Sequence, residues 1–383
     1  MFSKNIKFKN FKKNQSNAKV EKDLINLLNE KNEIINSLSS NYKNKYNFKK
    51  ILKIKKNLEL RIIGIGGSIL GAKAIYDFLS VKKKILFIDN LNSRYKLKKK
   101  NYLNLIISKS GNTIETLTNV EIFLKKNDKN LFITENKDNK LKKLAQKLKS
   151  DVVEHNNFIG GRYSVLSEVG MLPAYLMGLP INNLRKNILV HLKKNKNKIF
   201  LKDSAVKLAN ILLRGKIKNL ILFNYVPKLD KFLSWYQQII AESLGKKGKG
   251  FLPTISQAPK DHHSLLQLYL DGPRDKLFYV LSSDLTSDKK INSNKLDKEF
   301  KYLNNKSLNQ IKNAQKNSFL QNLKKKQIPF REFKIRSNDE QTLGELFSYF
   351  IIETAIVGKL ININPFDQPA VENLKKATKK ELF

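Results

Sequence analysis

The chain contains 383 residues, 41% of them hydrophobic and 9% aromatic, and its 74 Lys and Arg against 33 Asp and Glu give a formal net charge of +41. This length predicts one large or two ordinary domains, the apolar content is too high for a disordered chain, and no apolar run approaches the ~20 residues of a membrane span. Cysteine is absent and only four histidines occur, which excludes disulfides, iron–sulfur clusters and cysteine nucleophiles and argues against a multi-histidine metal site.

The first forty-odd residues show the spacing of an amphipathic helix. Leu24, Leu27 and Ile34 lie on one apolar face among Lys, Glu and Asn. We therefore expect residues 1–45 to form a helical N-terminal arm. The first ten residues, MFSKNIKFKN, contain no apolar segment of the signal-peptide type, so a cytoplasmic location is the default expectation.

A first set of short β-branched runs begins at residue 59 and alternates with amphipathic segments. The runs are ELRIIGIGG, KILFID, LNLIISKSG, NLFITEN and DVVEH. Helix patterns lie between them, around 69–80, 113–126 and 138–149. Such alternation predicts an α/β unit with a parallel sheet, which we place at residues 46–195.

A second alternation follows two helical segments, predicted at about 181–197 and 201–214. Its strand patterns are NLILFNY, KLFYVLSSD and PFREFKI, with a helix near 229–244. We place this second α/β unit at residues 196–358.

The remaining segments are read as helices. The polar stretch from Lys295 to Lys326 predicts a solvated helix. The apolar run LGELFSYFIIETAIVGKL predicts a buried helix, and Pro365 separates it from a short final helix in the C-terminal segment 359–383.

Two loops that follow predicted strands have the composition of an anion site. The turn Gly64–Ser68 can bring backbone N–H groups close to an anion, although Ile69 breaks the G-x-G-x-x-G pattern and a plain strand-to-helix turn explains it equally well. Ser108, Ser110 and Thr113 place three hydroxyls in six positions before a helix. Asn112 with Glu115 also fits a capping pair. Since both loops follow strands of one sheet, we favour a shared phosphate cradle.

Further along the chain, three segments carry groups suited to proton transfer or to binding an oxyanion. Arg162 follows paired glycines in a chain that uses few arginines. Gln238 and Glu242 are four residues apart and so share a helix face. Their alternatives are an ordinary loop arginine and a solvated helix glutamate. Two of the four histidines, His262 and His263, are adjacent, and an imidazole suits proton transfer near neutral pH.

Taken together and in order, these segments resemble the phosphoglucose isomerase family. The matching strings are GIGGSILG, ISKSGNTIETL, GGRYSVLSEVG, AESLGKKGKG, DHHSLLQLYLDGP and FDQPAVENLKK, and they extend from residue 64 to about 376. The resemblance implies two sugar-isomerase domains, each a flavodoxin-like three-layer αβα sandwich with a parallel sheet. It also implies a homodimer that isomerises glucose 6-phosphate and fructose 6-phosphate in glycolysis and gluconeogenesis, without a cofactor or a metal.

The resemblance also implies a role for individual residues. The substrate phosphate would be bound by Ser68, Ser108, Lys109, Ser110 and Thr113. Glu242 would carry the proton between C2 and C1 through a cis-enediolate, with Gln238 beside it and Arg162 facing the charge on the sugar oxygens. Ring opening would use His263 from the neighbouring subunit, Lys375 and Gln368.

Two positions depart from the family pattern, and two other functions stay open. His262 stands where many members have Gln, and Glu168 stands where the residue is usually small and apolar. The hydroxyl-rich loop alone would also suit another phosphosugar isomerase or a phosphosugar-binding protein. The charge of +41 suggests a nucleic-acid-binding protein instead. Its lysines are dispersed and arginine is scarce, however, so we expect neither a specific nucleic-acid partner nor a membrane partner.

Overall fold

The described part of the chain forms two five-stranded sheets covered by helices. The computed structural model describes residues 3–11, 18–29, 32–39, 42–44, 46, 58–92, 95, 101–186, 188, 195–285, 289–292, 295 and 297–382. Within these ranges, no helix combines the length and the apolarity that a membrane crossing requires.

The predicted N-terminal arm is helical over two segments, α1 (Ala18–Asn29) and α2 (Glu33–Ser37), and it also contains a strand, β1 (Ile6–Lys9). Asn32 caps α2, because its side chain accepts a hydrogen bond from the amide of Ile34. The strand was not predicted, since only four residues alternate and their pairing partner lies more than 300 residues away.

The first sheet contains only parallel strands, as predicted. Its order is β3-β2-β4-β5-β6. These strands are β2 (Glu59–Ile63), β3 (Ile85–Ile88), β4 (Tyr102–Ile107), β5 (Lys129–Thr134) and β6 (Asp151–Glu154). The helices of this unit are α3 (Leu70–Phe78), α4 (Ile114–Phe123), α5 (Lys140–Lys147) and α6 (Glu168–Leu176).

Helices α7 (Ile181–Arg185) and α8 (Asn195–Arg214) connect the two sheets. Their bounds differ from the two predicted segments, and residues 187 and 189–194 lie outside the described part of the chain. Helix α8 starts at Asn195, before the predicted start at about residue 201.

The second sheet has the order β1-β10-β9-β7-β8, and β1 runs antiparallel to β10 at one edge. The parallel strands are β7 (Asn219–Asn224), β8 (Leu252–Gln257), β9 (Lys276–Ser283) and β10 (Phe330–Ile335). The helices are α9 (Asp230–Leu244), α10 (Leu266–Asp271), α11 (Leu308–Lys325), α12 (Glu340–Leu360) and α13 (Pro369–Glu381). The expectation of a parallel sheet therefore holds for β7, β8, β9 and β10, whereas β1 is antiparallel.

One large hydrophobic core joins the two units. Alternate residues of both sheets, such as Ile62 and Tyr279, contribute to it together with α9 and α12. Two smaller cores lie on the outer faces, one beneath α4 and α5 and the other beneath α10 and α11. Each sheet is thus covered on both faces, which confirms the predicted αβα layers. The same packing brings α9 against α3.

Candidate active site

The glycine turn after β2 lies against the two other parts of the site. A Cβ added at Gly67 would lie 2.2 Å from the carbonyl carbon of Gly161, and one at Gly66 would lie 3.1 Å from Nε2 of Gln238. Gly66 also has a φ of +55°, which favours glycine. The paired glycines therefore allow this turn to touch both the Arg162 segment and α9. Ser68 ends the turn and is half-buried.

The hydroxyl-rich loop lies between β4 and α4. The hydroxyls of Ser108 and Thr113 are 2.9 Å apart, and Ser108 is buried. Ser110 is exposed, and its hydroxyl accepts a hydrogen bond from the amide of Asn112. The turn is possible because Gly111, with a φ of +65°, packs so tightly on Asn139 that a Cβ there would clash.

The alternative interpretation, in which Asn112 and Glu115 form a capping pair, is wrong. Thr113 is the N-cap of α4, and its side chain does not accept a hydrogen bond from that helix. The Asn112 side chain instead accepts one from the amide of Lys140, at the start of α5. The first turn of α4 thus keeps backbone N–H groups beside the serine and threonine hydroxyls, as an anion site requires.

Lys109 follows Ser108 but is engaged beside the loop. Its ammonium lies 3.6 Å from the carboxylate of Glu135, which also binds Lys137 at 2.6 Å. Burial lowers the pKa of Lys109, although Glu135 opposes that shift. Lys109 therefore belongs to a small charged cluster next to the hydroxyl pair.

Arg162 lies at the centre of the site and is only 3% exposed. All five of its N–H groups donate hydrogen bonds. The acceptors are the hydroxyl of Ser243 (2.9 Å), the carboxylate of Glu242 (3.2 Å), the side-chain oxygen of Gln368 (2.7 Å) and the carbonyls of Pro365 (2.8 Å) and Asp367 (2.9 Å). One guanidinium therefore joins the loop after the first sheet, the end of α9 and the C-terminal segment.

Glu242 is held from two sides and still reaches the surface. Its Oε1 accepts a hydrogen bond from Nε2 of Gln238 at 2.8 Å, as the predicted four-residue spacing requires, and its Oε2 faces Arg162. Its side chain is 28% exposed. The Oε1 atom of Gln238 is buried without a hydrogen-bond partner among the described residues. Glu242 is thus held in a fixed position while part of its side chain stays accessible.

The two adjacent histidines have different surroundings. Nε2 of His262 lies 2.7 Å from the hydroxyl of Tyr225, and the ring stacks on Phe223. Burial lowers the pKa of His262. His263 is exposed, at the end of a short turn that Asp261 organises through hydrogen bonds from Ser256, Gln257 and Ser264. Of these two histidines, His263 is therefore the one that can reach another molecule.

The C-terminal segment brings Gln368 to the site and places Lys375 outside the core. Gln368 is the N-cap residue of α13, and its side-chain oxygen binds Arg162. Lys375 lies on the exposed surface of α13, two turns after Gln368. Gln368 therefore lies beside Arg162, which also contacts Glu242, in the same chain.

Sequence reasoning placed Tyr163, Ser243 and Lys246 in candidate segments but gave none of them a role in supporting Arg162 or its surroundings. The Tyr163 hydroxyl lies 2.6 Å from that of Ser243 and donates to the carbonyl of Pro365 at 2.9 Å. Lys246 binds Asn364 and Asp367 of the same C-terminal segment. Each residue is adjacent or nearly adjacent to a predicted one, but nothing in the sequence indicates a contact with residues 80 or more positions away.

Glu168, the departure noted in the sequence, is fully buried away from these groups. It is the first residue of α6, and its carboxylate accepts a hydrogen bond of 2.7 Å from the hydroxyl of Tyr42 in the arm. Burial, with Glu168 adding to it, raises the pKa of Tyr42 far above its usual range. Glu168 thus links the arm to the segment that carries Arg162.

The arrangement suits acid–base chemistry on an anionic ligand. A carboxylate, a guanidinium and an amide converge at one end, and hydroxyls with helix N–H groups lie at the other. In the described ranges, no group of three or more His, Asp or Glu side chains is arranged to hold a metal ion.

Comparison with known proteins identifies relatives over most of the chain. The family model described as "Phosphoglucose isomerase" matches residues 11–382. A glucose-6-phosphate isomerase of Methanocaldococcus jannaschii is 34% identical over 343 residues, which cover 82% of each chain. One of Mycoplasmopsis pulmonis is 33% identical over 350 residues, covering 82% of this chain and 81% of the relative.

Solved structures share the fold. A hypothetical protein from Thermus thermophilus superposes with a TM-score of 0.82 at 24% identity, covering 95% of this chain and 94% of that one. A glucose-6-phosphate isomerase from Chlamydia trachomatis superposes with a TM-score of 0.68 at 20% identity, covering 87% and 71%. Both the two-sheet architecture and its connectivity therefore occur in proteins of known structure.

Proposed function

The chain belongs to the phosphoglucose isomerase family, and on that premise we propose that it interconverts glucose 6-phosphate and fructose 6-phosphate. The reaction moves one proton between C2 and C1 of an opened sugar and passes through a cis-enediolate. The protein must therefore hold the phosphate, open the ring, move the proton and stabilise the enediolate charge.

The phosphate binds at the loops that follow β2 and β4. Ser68, Ser108, Ser110 and Thr113 supply hydroxyl donors, and the first turn of α4 supplies backbone N–H groups. Lys109 adds a positive charge beside them. Because the phosphate is remote from C1 and C2, its binding energy positions the reacting carbons and does not act directly on the bonds that change.

Ring opening uses groups at the other end of the site. Gln368 and Lys375 come from the C-terminal segment, and His263 comes from a second copy of the chain. The exposure of His263, together with the fixation of His262 against Tyr225, supports that choice of histidine. We therefore propose a homodimer in which each site is completed by its neighbour.

Glu242 removes the proton, and Arg162 stabilises the anion that results. Since every N–H group of Arg162 already has an acceptor, a sugar oxygen must replace one of them. The Glu242 bond, at 3.2 Å the longest of the five, is the one we assign to that exchange. Substrate binding then turns Arg162 toward the enediolate oxygens and frees the carboxylate to act as a base.

One observation carries this proposal. The carboxylate of Glu242 is held by Gln238 and Arg162, while 28% of its side chain stays accessible. A purely structural ion pair gains nothing from that exposure. A general base needs both the fixed position and access to substrate.

The proposal is tested by incubating the purified full chain with fructose 6-phosphate and following the sugars by NMR. We expect glucose 6-phosphate to accumulate to an equilibrium ratio that is the same from either direction. Unphosphorylated fructose is the matched control and should remain unchanged. If fructose 6-phosphate is also left unchanged, the proposed function is wrong.

A further inference from the structure

Side chains from other parts of the chain donate hydrogen bonds to the carbonyls of the segment between α12 and α13. Arg162 donates to the carbonyls of Pro365 and Asp367. Lys249 donates to the carbonyl of Ile361 at 2.9 Å. This segment leads directly to Gln368 and to the helix that carries Lys375, so its position decides where those two side chains lie.

Lys246 makes three hydrogen bonds to this segment. Its ammonium donates to the carbonyls of Asn364 and Asp367, both at 2.6 Å, and to Oδ1 of Asp367 at 2.7 Å. An ammonium has three donors, and all three are used here. Only 12% of the Lys246 side chain is exposed. The hydrogen bond from Lys246 is also the main reason that the pKa of Asp367 lies below its usual value.

The contacts of Lys246 and Arg162 meet at one atom. The carbonyl oxygen of Asp367 accepts a hydrogen bond from each of the two cations. Lys246 follows the end of α9 by two residues, and α9 carries Gln238 and Glu242. Lys246 therefore joins the helix of the proposed base to the segment that supplies the ring-opening groups.

The chain around Lys246 is shaped for this contact. Lys247, Gly248 and Gly250 have positive φ values of 52°, 71° and 118°. A Cβ at Gly250 would lie 2.7 Å from Cα of Gly245, so the turn closes on itself. The turn brings Lys246 and Lys249 to the C-terminal segment, while Lys247 between them is exposed.

We propose that Lys246 is a positioning residue of the isomerase site, which fixes Gln368 and the start of α13 against Arg162 and Glu242. This inference rests on the proposed function. Lys246 does not touch the reacting atoms, so its loss should change catalysis through the geometry of other groups. The phosphate loops belong to the first sheet, and Lys246 does not connect them to the segment between α12 and α13.

The test compares K246M with K247M, which removes the same charge and the same donors one residue away on the exposed side. For K246M, we expect kcat for fructose 6-phosphate to fall about 10- to 100-fold, as displacement of catalytic groups by about 1 Å can produce. KM should stay within about threefold of the unmodified protein. K247M should match the unmodified protein in both constants. Equal kcat values in the two variants would overturn the inference.

A double-mutant cycle identifies the route of the effect. If Lys246 acts by placing Gln368 and its helix, adding Q368A to K246M should slow turnover by no more than about twofold beyond K246M alone. Multiplication of the two single losses would show that Lys246 acts elsewhere and would overturn the assignment.

Hydrogen exchange gives a readout that does not depend on activity. The amides of residues 361–371 should exchange faster in K246M than in K247M, because the carbonyls of this segment lose a donor. Unchanged exchange contradicts the inference even when activity is lost. If the unmodified chain shows no isomerase activity, the proposed function fails and the catalytic role of Lys246 fails with it, whereas the exchange result still shows whether Lys246 holds the segment.

Discussion

The Arg162–Glu242 and Arg331–Glu353 pairs use the same two residue types in opposite surroundings. Glu353 lies on α12 and binds Arg331 through two hydrogen bonds of 2.6 Å, with neither side chain exposed. Glu242 makes a single contact of 3.2 Å with Arg162, and more than a quarter of its side chain is accessible.

The two arginines also differ in what else they bind. Arg331 stacks 3.9 Å above the ring of Tyr279 and meets the hydroxyl of Ser204, which itself contacts Glu353. Arg162 binds backbone carbonyls and the amide of Gln368 as well as Glu242. A sealed bidentate pair is used for the fold, whereas a single open contact can be exchanged for a ligand.

The largest expected effect is on turnover when the open pair is changed. Glu242→Gln keeps the shape and the contact with Gln238 but removes the base, so kcat should fall by about 10²–10⁴. The melting temperature should change by only a few degrees, because partly exposed ion pairs contribute about 0–1 kcal/mol. Steady-state kinetics and thermal unfolding of the same preparation check both. Near-normal kcat would reject the role of Glu242.

The sealed pair should respond in the opposite way. Glu353→Gln leaves the guanidinium of Arg331 without its buried partner and should lower the free energy of unfolding by about 3–5 kcal/mol. Activity per folded molecule should be retained. Urea unfolding measures the loss, and the double variant R331M/E353L, which replaces the pair with apolar side chains, should be less destabilised than E353Q. If the E353Q protein were stable but had lost turnover, the assignment of the Arg331–Glu353 pair to the fold would be contradicted.

Glu345 is a second buried carboxylate on α12, and it tests how burial changes the pKa of such a group and the stability of the protein. It is fully buried, and burial raises its pKa to about 7 against the opposing hydrogen bond from Ser3. Because the unfolded chain releases this proton near pH 4.5 and the folded chain releases it near pH 7, this group lowers stability as pH rises through that window.

The Glu345→Gln variant isolates this contribution. Its gain in unfolding free energy over the unmodified protein should increase by roughly 2–3 kcal/mol between pH 5 and pH 8. Urea unfolding at the two pH values, with both proteins in the same buffers, measures the difference. A gain that is constant with pH would show that Glu345 does not titrate in this range.

The smallest expected effect is on substrate affinity at the hydroxyl loop. The hydroxyls of Ser108 and Thr113 lie beside an open helix terminus, whereas those of Ser204 and Tyr349 are enclosed with Glu353. Thr113→Ala should raise KM for fructose 6-phosphate about tenfold with little change in kcat, because a hydrogen bond to a charged group contributes about 1.5–3 kcal/mol. Thr118→Ala, five residues further along the chain and within α4, is the control. Equal KM values in the two variants would remove Thr113 from the phosphate site.

Most of the fold could be predicted from apolar periodicity. The buried strands of the two sheets are short apolar runs, and α12 is a long apolar segment. Strand β8 was missed because LPTISQ contains proline and polar residues and lies at a sheet edge, where its two end residues are exposed. Strand β1 was missed because its pairing with β10 is a long-range event that four residues do not reveal.

The individual motifs of the site could be predicted from the sequence, but the contacts between distant motifs could not. The contact between Gln238 and Glu242 follows from helical spacing, and the hydroxyl loop follows from composition. The contacts of Arg162 with Glu242 and Gln368 depend on how the two units pack, which no local pattern encodes. Lys246 was unrecognisable because lysine is so abundant in this chain that one more carries no information.

The most direct test of the account follows deuterium during the reaction. The full chain and its E242Q variant are incubated with fructose 6-phosphate in D₂O, and the label at C2 of glucose 6-phosphate is measured by NMR. We expect the unmodified protein to form glucose 6-phosphate that carries solvent deuterium at C2, and the variant to form almost none. If E242Q labels C2 at the rate of the unmodified protein, another group moves the proton and the central role of Glu242 is contradicted.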